Sequence, residues 1–374
     1  MRILVLGNSA SRWQKEFIRN VLLPLEHEVY VFASRGENPF KPFYHDNAVK
    51  VITPKPVSKM VMRIPKLRAE ALLKNQITAL RQYGPYDIII NMFVSESGLR
   101  CAKALRDKNT KVIAYFCGSD ILRAKGYKLM LLKKELRIAD KIFFASEQVY
   151  QEYRKKVDRM GDRVGQVIHL GISVFAEIDR IRGPIATEKQ ILGIPDNLTS
   201  ICIGYNANQA QQHLSALHQL QLLPAEQKEK LILLLPLTYG RRQEYIDELK
   251  QELTRSGFKY RLFESFMNDK EMAQLHCATD IFINAQLTDG LSASVLETLY
   301  AESTLLNASW LDYPEFQKWG IQYAAFSGFE ELPELVLSVL EGKVTCDTKS
   351  NMEILNCQMT WEATRNQWSE QITG

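Results

Sequence analysis

Short aliphatic and β-branched runs alternate with longer amphipathic stretches twice along this chain. That double alternation limits the possible folds more than any other feature. The plainest run is Asp87-Ile88-Ile89-Ile90-Asn91. A strand buried on both faces needs such an unbroken apolar stretch. In the first half, strands are expected at 2–6, 28–33, 49–53, 87–91, 111–116, 141–145 and 166–170. Helices are expected at 12–23, 66–83, 96–107, 125–138 and 147–157. The pattern breaks at 174–184, read as a linker with Gly183-Pro184. It then resumes, with strands at 200–204, 231–236, 259–264, 280–284, 304–307 and 323–326. Its helices fall at 209–222, 241–256, 269–277, 292–301 and 332–341, with a further helix in the tail 349–371. Strands alternating with helices give doubly wound parallel sheets. The expected fold is α/β: two Rossmann-like lobes facing across a cleft, with a C-terminal helix closing back on the first lobe. The expected domains are 1–175, 185–345 and the crossing helix 346–374. Two domains also suit 374 residues. Ligands of such sheets lie outside the carboxyl ends of the strands.

Composition narrows the class. A chain 46% hydrophobic and 24% charged is neither disordered nor a coiled coil. It holds no apolar run of 18 residues, and its opening Met1-Arg2-Ile3-Leu4-Val5-Leu6-Gly7 reads as a strand rather than a signal peptide. Six cysteines lie scattered without a CxxC pair, which suits a reducing cytosol. The six histidines show no metal spacing: His213 and His218 miss the i, i+4 relation, and His276 beside Cys277 has no second ligand pair. They read as structural. The net charge of +4 hides a split. Residues 1–180 hold 32 Lys and Arg against 18 Asp and Glu, a balance of +14, and the rest carries −10. A basic half should face an anion, and no nucleic-acid reading motif is present. Two stretches interleave apolar and basic residues, 59–68 and 125–137, as docking on an anionic bilayer requires.

Two turns end first-half strands with small residues. Gly7-Asn8-Ser9-Ala10-Ser11 can bring backbone N–H groups near an anion, but it is not a GxGxxG and no acid closes the second strand. A nicotinamide dehydrogenase is thereby disfavoured. Cys117-Gly118-Ser119-Asp120 follows the strand 111–116. Gly7, Asn8, Gly118 and Ser119 are the candidate acceptor or phosphate loop residues. Asp120 is either a general base on an acceptor hydroxyl or the N-cap of the next helix. The strongest signal is Asp289-Gly290-Leu291-Ser292-Ala293-Ser294, then Glu297, after the strand 280–284. Gly290 permits a sharp turn and Ser292 suits a helix N-cap. Free N–H groups from Gly290 through Leu291 and Ser292 to Ser294 can hold a diphosphate. Asp289 is the candidate catalytic acid of this lobe, placed to touch sugar hydroxyls, and Glu297 is placed to accept two hydrogen bonds from a ribose.

An acid, seven residues with Gly next to the first, then Glu on a helix resembles the E-x(7)-E motif of GT-B glycosyltransferases, with Asp289 in place of the first Glu. The second lobe opens in that family's style, with Glu188-Lys189-Gln190-Ile191-Leu192-Gly193-Ile194-Pro195 ahead of the strand 201–204. The resemblance spans essentially the whole chain, and that family commonly carries a Gly-Ser-Asp or a His-Gly turn where 118–120 stands. Two departures follow. The Gly-Arg and Lys clamp expected after the second lobe's first strand is replaced by Gly204 to His213, without a Lys or Arg. Ala301-Glu302-Ser303 stands where a Gly is expected. The Asn-rich turn and Leu235-Pro236-Leu237-Thr238-Tyr239-Gly240-Arg241 are similar, locally, to the acetamido-fucose transferases of enterobacterial common antigen. That similarity implies that Asn206, Asn208 and Tyr239 face a nucleotide sugar, and that Arg241 or Arg242 replaces the clamp. E-x(7)-E implies retention; the second resemblance implies inversion.

Together these readings predict a metal-independent hexosyltransferase without a cofactor. It takes sugar from a nucleoside diphosphate sugar, UDP or alternatively dTDP, to a saccharide or polyprenyl-linked acceptor in cell-surface polysaccharide biosynthesis. The expected place is cytoplasmic, peripheral on the inner face of the membrane. The alternatives are a non-catalytic partner of an active transferase and a sugar-nucleotide epimerase of the same fold.

Overall fold

A computed structural model describes residues 1–33, 38–158, 165–182, 188–240 and 242–373. The chain divides into two compact units. The first is Met1–Gly171 together with the chain from Thr364 onward; the second is Ile172–Ala363.

The first unit holds a seven-stranded parallel sheet. Its strands are β1 (Arg2–Leu6), β2 (Glu28–Phe32), β3 (Lys50–Ile52), β4 (Ile88–Met92), β5 (Lys111–Phe116), β6 (Lys141–Phe144) and β7 (Gln166–Val167), in the order β3-β2-β1-β4-β5-β6-β7. The second unit holds six: β8 (Thr199–Ile203), β9 (Leu231–Pro236), β10 (Lys259–Phe263), β11 (Ile281–Asn284), β12 (Thr304–Ala308) and β13 (Ala324–Phe326), in the order β10-β9-β8-β11-β12-β13. Both are the doubly wound order 3-2-1-4-5-6, with β7 added to the first. Every residue of β4, β9 and β11 is buried, as strands covered on both faces must be. The α/β class read from the sequence is therefore the observed one.

Helix starts follow local chemistry. Ser95 and Ser146 each accept an N–H of the turn they open. Asn268 and Glu271 form a reciprocal capping box that starts the helix Asp269–Cys277.

Several expected boundaries are corrected. The expected linker contains the helix Val174–Ile181, because Val174, Phe175 and Ile178 share one buried face; Gly183-Pro184 lies outside the described residues. The helix expected at 209–222 is split by Gln212 in the left-handed region, φ +58°, into a short 3₁₀ turn and the helix His213–Leu220. The helix expected at 12–23 changes to π geometry at Ile18–Leu22. Only Gln166–Val167 of the strand expected at 166–170 is paired. The tail forms two helices, Thr348–Met359 and Trp361–Thr373.

The second of these helices ends within the first unit. Trp368 is fully buried there, edge-on to Phe17, Tyr115 and Phe143 at 4.8, 4.9 and 5.7 Å, and its indole N–H donates to His169 O. Arg365 donates to Asn20 O and Lys141 to Gln371 O. All six cysteines are free thiols. No helix among the described residues is long and apolar enough to cross a membrane.

Candidate active site

In the second unit, polar groups collect where β8, β9 and β11 end. After β8 the chain turns at Gly204, φ +63°. A Cβ there would lie 2.8 Å from Gln211 Oε1 and 2.9 Å from His213 Nε2, so only glycine fits. The Asn-rich turn then holds itself. Asn206 Oδ1 accepts from Asn208 N, Asn208 Oδ1 accepts from Ala210 N, and Ala207 N donates to Tyr239 O. Gln211 donates to Gln286, and Gln286 to the Tyr205 hydroxyl, both bonds buried or nearly so. Amides therefore link the segments after β8 and β11 in the stretch where a cationic clamp was missing. Burial lowers the His213 pKa to about 4, which keeps the ring neutral; its Nδ1 lies 3.1 Å from the Tyr245 hydroxyl.

Tyr239 follows β9 and is 58% exposed. Desolvation raises its phenol pKa, a hydrogen bond with Asn206 opposes this, and the carboxylates of Glu297 and Asp289 push it further up. Asn206, Tyr239, Asp289 and Glu297 thus share one electrostatic neighbourhood. Asn208 is exposed on the same turn. Arg241 lies outside the described residues; Arg242 is exposed and precedes the helix Gln243–Arg255.

Asp289 is buried, and both of its oxygens are occupied. Oδ1 accepts from Gly290 N at 2.8 Å. Oδ2 accepts from the Tyr313 hydroxyl at 2.6 Å and from Ser292 N at 3.3 Å. Burial raises its pKa, and these donors pull it back. Tyr313 in turn accepts from Asn284, which also donates to Asn307. Ser292 occupies the N-cap position of the helix Ala293–Tyr300, but its hydroxyl does not cap it. Asp289 takes two of the amides expected to be free, leaving those of Leu291, Ala293 and Ser294. Leu291 has φ +68°, a costly conformation for a side chain branched at Cγ, here at the mouth of the helix.

Glu297, on that helix, is only 2% exposed. Oε2 lies 3.1 Å from Nε2 of His276, itself buried on the helix Asp269–Cys277. His276 Nδ1 meets the Thr298 hydroxyl at 2.8 Å, and Thr298 donates to Ser294 O.

In the first unit, Gly7 and Asn8 follow β1. Asn8 Oδ1 accepts from Ala10 N, and the Tyr44 hydroxyl donates to Ser9 O below the turn. Gly118, φ +132°, opens the helix Ser119–Leu122, with Ser119 exposed. Asp120 sits inside that helix's first turn rather than at its N-cap. Its carboxylate reaches back to Gly118 N, Val94 N and Cys117 N at 2.8, 2.9 and 3.0 Å. Burial raises its pKa and these amides lower it. It ties the turns after β4 and β5 together.

The sequence reading missed His276, Tyr205, Gln211, Gln286 and Tyr313. Tyr205 and Gln211 stand inside the Asn-rich stretch 204–213 but were not singled out there, whereas His276, Gln286 and Tyr313 act across helix or loop packing and stand in no local motif. A hollow of about 340 Å³, lined in part by Lys189, Asp196 and Asp280, opens at the amino ends of β8, β11 and β12, away from these groups. Among the described residues no three His, Cys, Asp or Glu converge as metal ligands.

No protein-family model matches the sequence, and no curated protein matches it. Solved structures do match over its full length. HepE of Anabaena, solved with UDP and glucose, is similar at TM-score 0.73 and 16% identity, covering 100% of this chain and 99% of that one. A glycosyltransferase of Rickettsia africae is similar at 0.77 and 13%, covering 100% and 99%. The sucrose-phosphate synthase of Thermosynechococcus elongatus is similar at 0.75 and 16%, covering 100% and 98%. At such identity the likeness shows the fold, and the fold is GT-B.

Proposed function

We propose that the chain is a glycosyltransferase that takes a sugar from a nucleoside diphosphate sugar bound to the second unit. One observation carries the reading: Glu297, Asp289, Asn206 and Tyr239 gather at the carboxyl ends of β8, β9 and β11, in a fold shared with a protein solved with UDP-glucose. Glu297 accepts ribose hydroxyls. The amides of Leu291, Ala293 and Ser294 face the diphosphate and stabilise charge as it leaves. Arg241 or Arg242 supplies the cation. Asn206, Asn208 and Tyr239 contact the nucleotide sugar, and Asp289 shapes the turn under it.

The acceptor is a lipid-linked saccharide of a cell-surface polysaccharide, and the first unit meets it at Gly7, Asn8, Gly118 and Ser119. Asp120 is the candidate base, and to act as one it must release backbone donors. The same unit docks on an anionic membrane. On the helix Gly126–Glu135, Tyr127 and Met130 are 70% and 57% exposed. Around them Lys125, Lys128, Lys133 and Lys134 are exposed without an ion pair to any described residue. Apolar tips among unpaired lysines complement anionic headgroups.

The test is melting temperature with UDP, dTDP, GDP and ADP in turn. A nucleotide at 100-fold its Kd should stabilise by about 2.7 kcal/mol. A folded protein that responds to none of them loses the donor reading. A non-catalytic partner is then the better account, because the stretch from Gly204 to His213 carries no Lys or Arg. An epimerase would respond to nucleotide but not sediment with anionic vesicles.

A further inference from the structure

His276 and Glu297 form a buried pair whose geometry is one-sided. Oε2 of Glu297 is held by His276 Nε2. Oε1 accepts no hydrogen bond from any described residue, and it is not among the sealed, unpartnered atoms of the interior. A carboxylate that served packing alone would be costly to leave half satisfied. The ring cannot turn freely, because Nδ1 is fixed by the Thr298 hydroxyl at 2.8 Å. Thr298 has one proton to give. Its hydroxyl lies 2.7 Å from Ser294 O and 2.8 Å from Nδ1, which fixes the ring plane and sets Nε2 against Oε2 of Glu297.

We propose that His276 is a positioning residue: by holding Oε2 it leaves Oε1 of Glu297 aimed at the hydroxyls of a ligand, the ribose diol of a nucleoside diphosphate. This rests on the donor site proposed above. Tyr239 and Asn206, in the same neighbourhood, mark the side from which the ligand comes. The helix Asp269–Cys277 carries His276 because its capping box sets the helix start, and with it the register that brings His276 opposite Glu297.

The test compares UDP with 2′,3′-dideoxy-UDP, and dTDP with its 3′-deoxy counterpart, by calorimetry on three proteins. The unaltered chain should bind the hydroxyl-bearing nucleotide roughly tenfold or more tighter than its deoxy partner. His276→Asn, whose amide falls short of Glu297, should lose that preference while binding the deoxy nucleotide as before. His276→Gln, whose amide nitrogen stands near the place of Nε2, should restore it. Equal weakening of both nucleotides by His276→Asn, or no weakening, overturns the proposal, as does an unaltered chain without preference. If His276→Asn does not fold, Thr298→Val carries the test: releasing the ring should reduce the preference, and an unchanged preference overturns the proposal. A chain that binds none of these nucleotides fails the donor reading instead, a different result from binding without preference.

Discussion

The two units share one strand order, 3-2-1-4-5-6, yet use their acids in opposite ways where the strands end. In the first unit, Asp120 gives its carboxylate to three backbone amides and joins two turns. In the second, Asp289 does similar work for its own loop, but Glu297 keeps one oxygen uncommitted. The same scaffold thus yields a sealed turn and an open one. The difference teaches that an acid's place in a motif does not say whether it faces the ligand or the backbone; its hydrogen-bond partners do.

The sharpest way to break this comparison is Glu297→Ala. It should weaken nucleotide binding roughly a hundredfold, about 3 kcal/mol, beyond the loss of about 1–3 kcal/mol in stability expected when His276 loses its buried partner, so affinity is read by calorimetry on the folded variant. An unchanged affinity in calorimetry would place Glu297 outside the site.

Nearly as large is a pH effect from His213 beneath the Gly204 turn. Its folded pKa of about 4 lies below the ordinary 6.5, so the unfolded chain binds a proton that the folded chain refuses. The stability this contributes is present above pH 6.5 and lost as pH falls toward 4, up to about 3 kcal/mol. Urea midpoints across that range should slope less steeply in His213→Gln than in the unaltered protein. Parallel slopes would show that the ring is not the cause.

Asp120→Asn comes next, and it separates two roles. A clamp that loses an acceptor should cost about 2 kcal/mol of stability. A base should lose turnover by orders of magnitude with the melting temperature preserved. The smallest effect belongs to the first unit's surface: Lys128→Ala should weaken binding to anionic vesicles by about 1 kcal/mol and leave binding to neutral vesicles unchanged.

Much of the fold was legible because buried parallel strands write themselves as apolar runs. Ile88–Met92, Leu231–Pro236 and Ile281–Asn284 stand within a residue of where their patterns place them. Ends were less legible. Gln212 in a left-handed conformation and the π turn at Ile18–Leu22 have no counterpart in hydrophobic period. The motif around Asp289 and Glu297 was visible, but not what its carboxylates bind. Asp289 is capped by amides one and three residues ahead and by Tyr313, and Glu297 by a histidine 21 positions earlier. Local spacing reports helices and turns; pairings such as His276 with Glu297 arise only when two helices pack.

The helix Trp361–Thr373 also sets an order on biosynthesis. Trp368 plugs the aromatic core of the unit that starts at Met1, yet it is made after all of Ile172–Ala363. Domains tend to fold as the ribosome delivers them. Here the unit begun first is the one completed second, so its sheet waits with an open seat between Phe17, Tyr115 and Phe143 while its neighbour is synthesised whole.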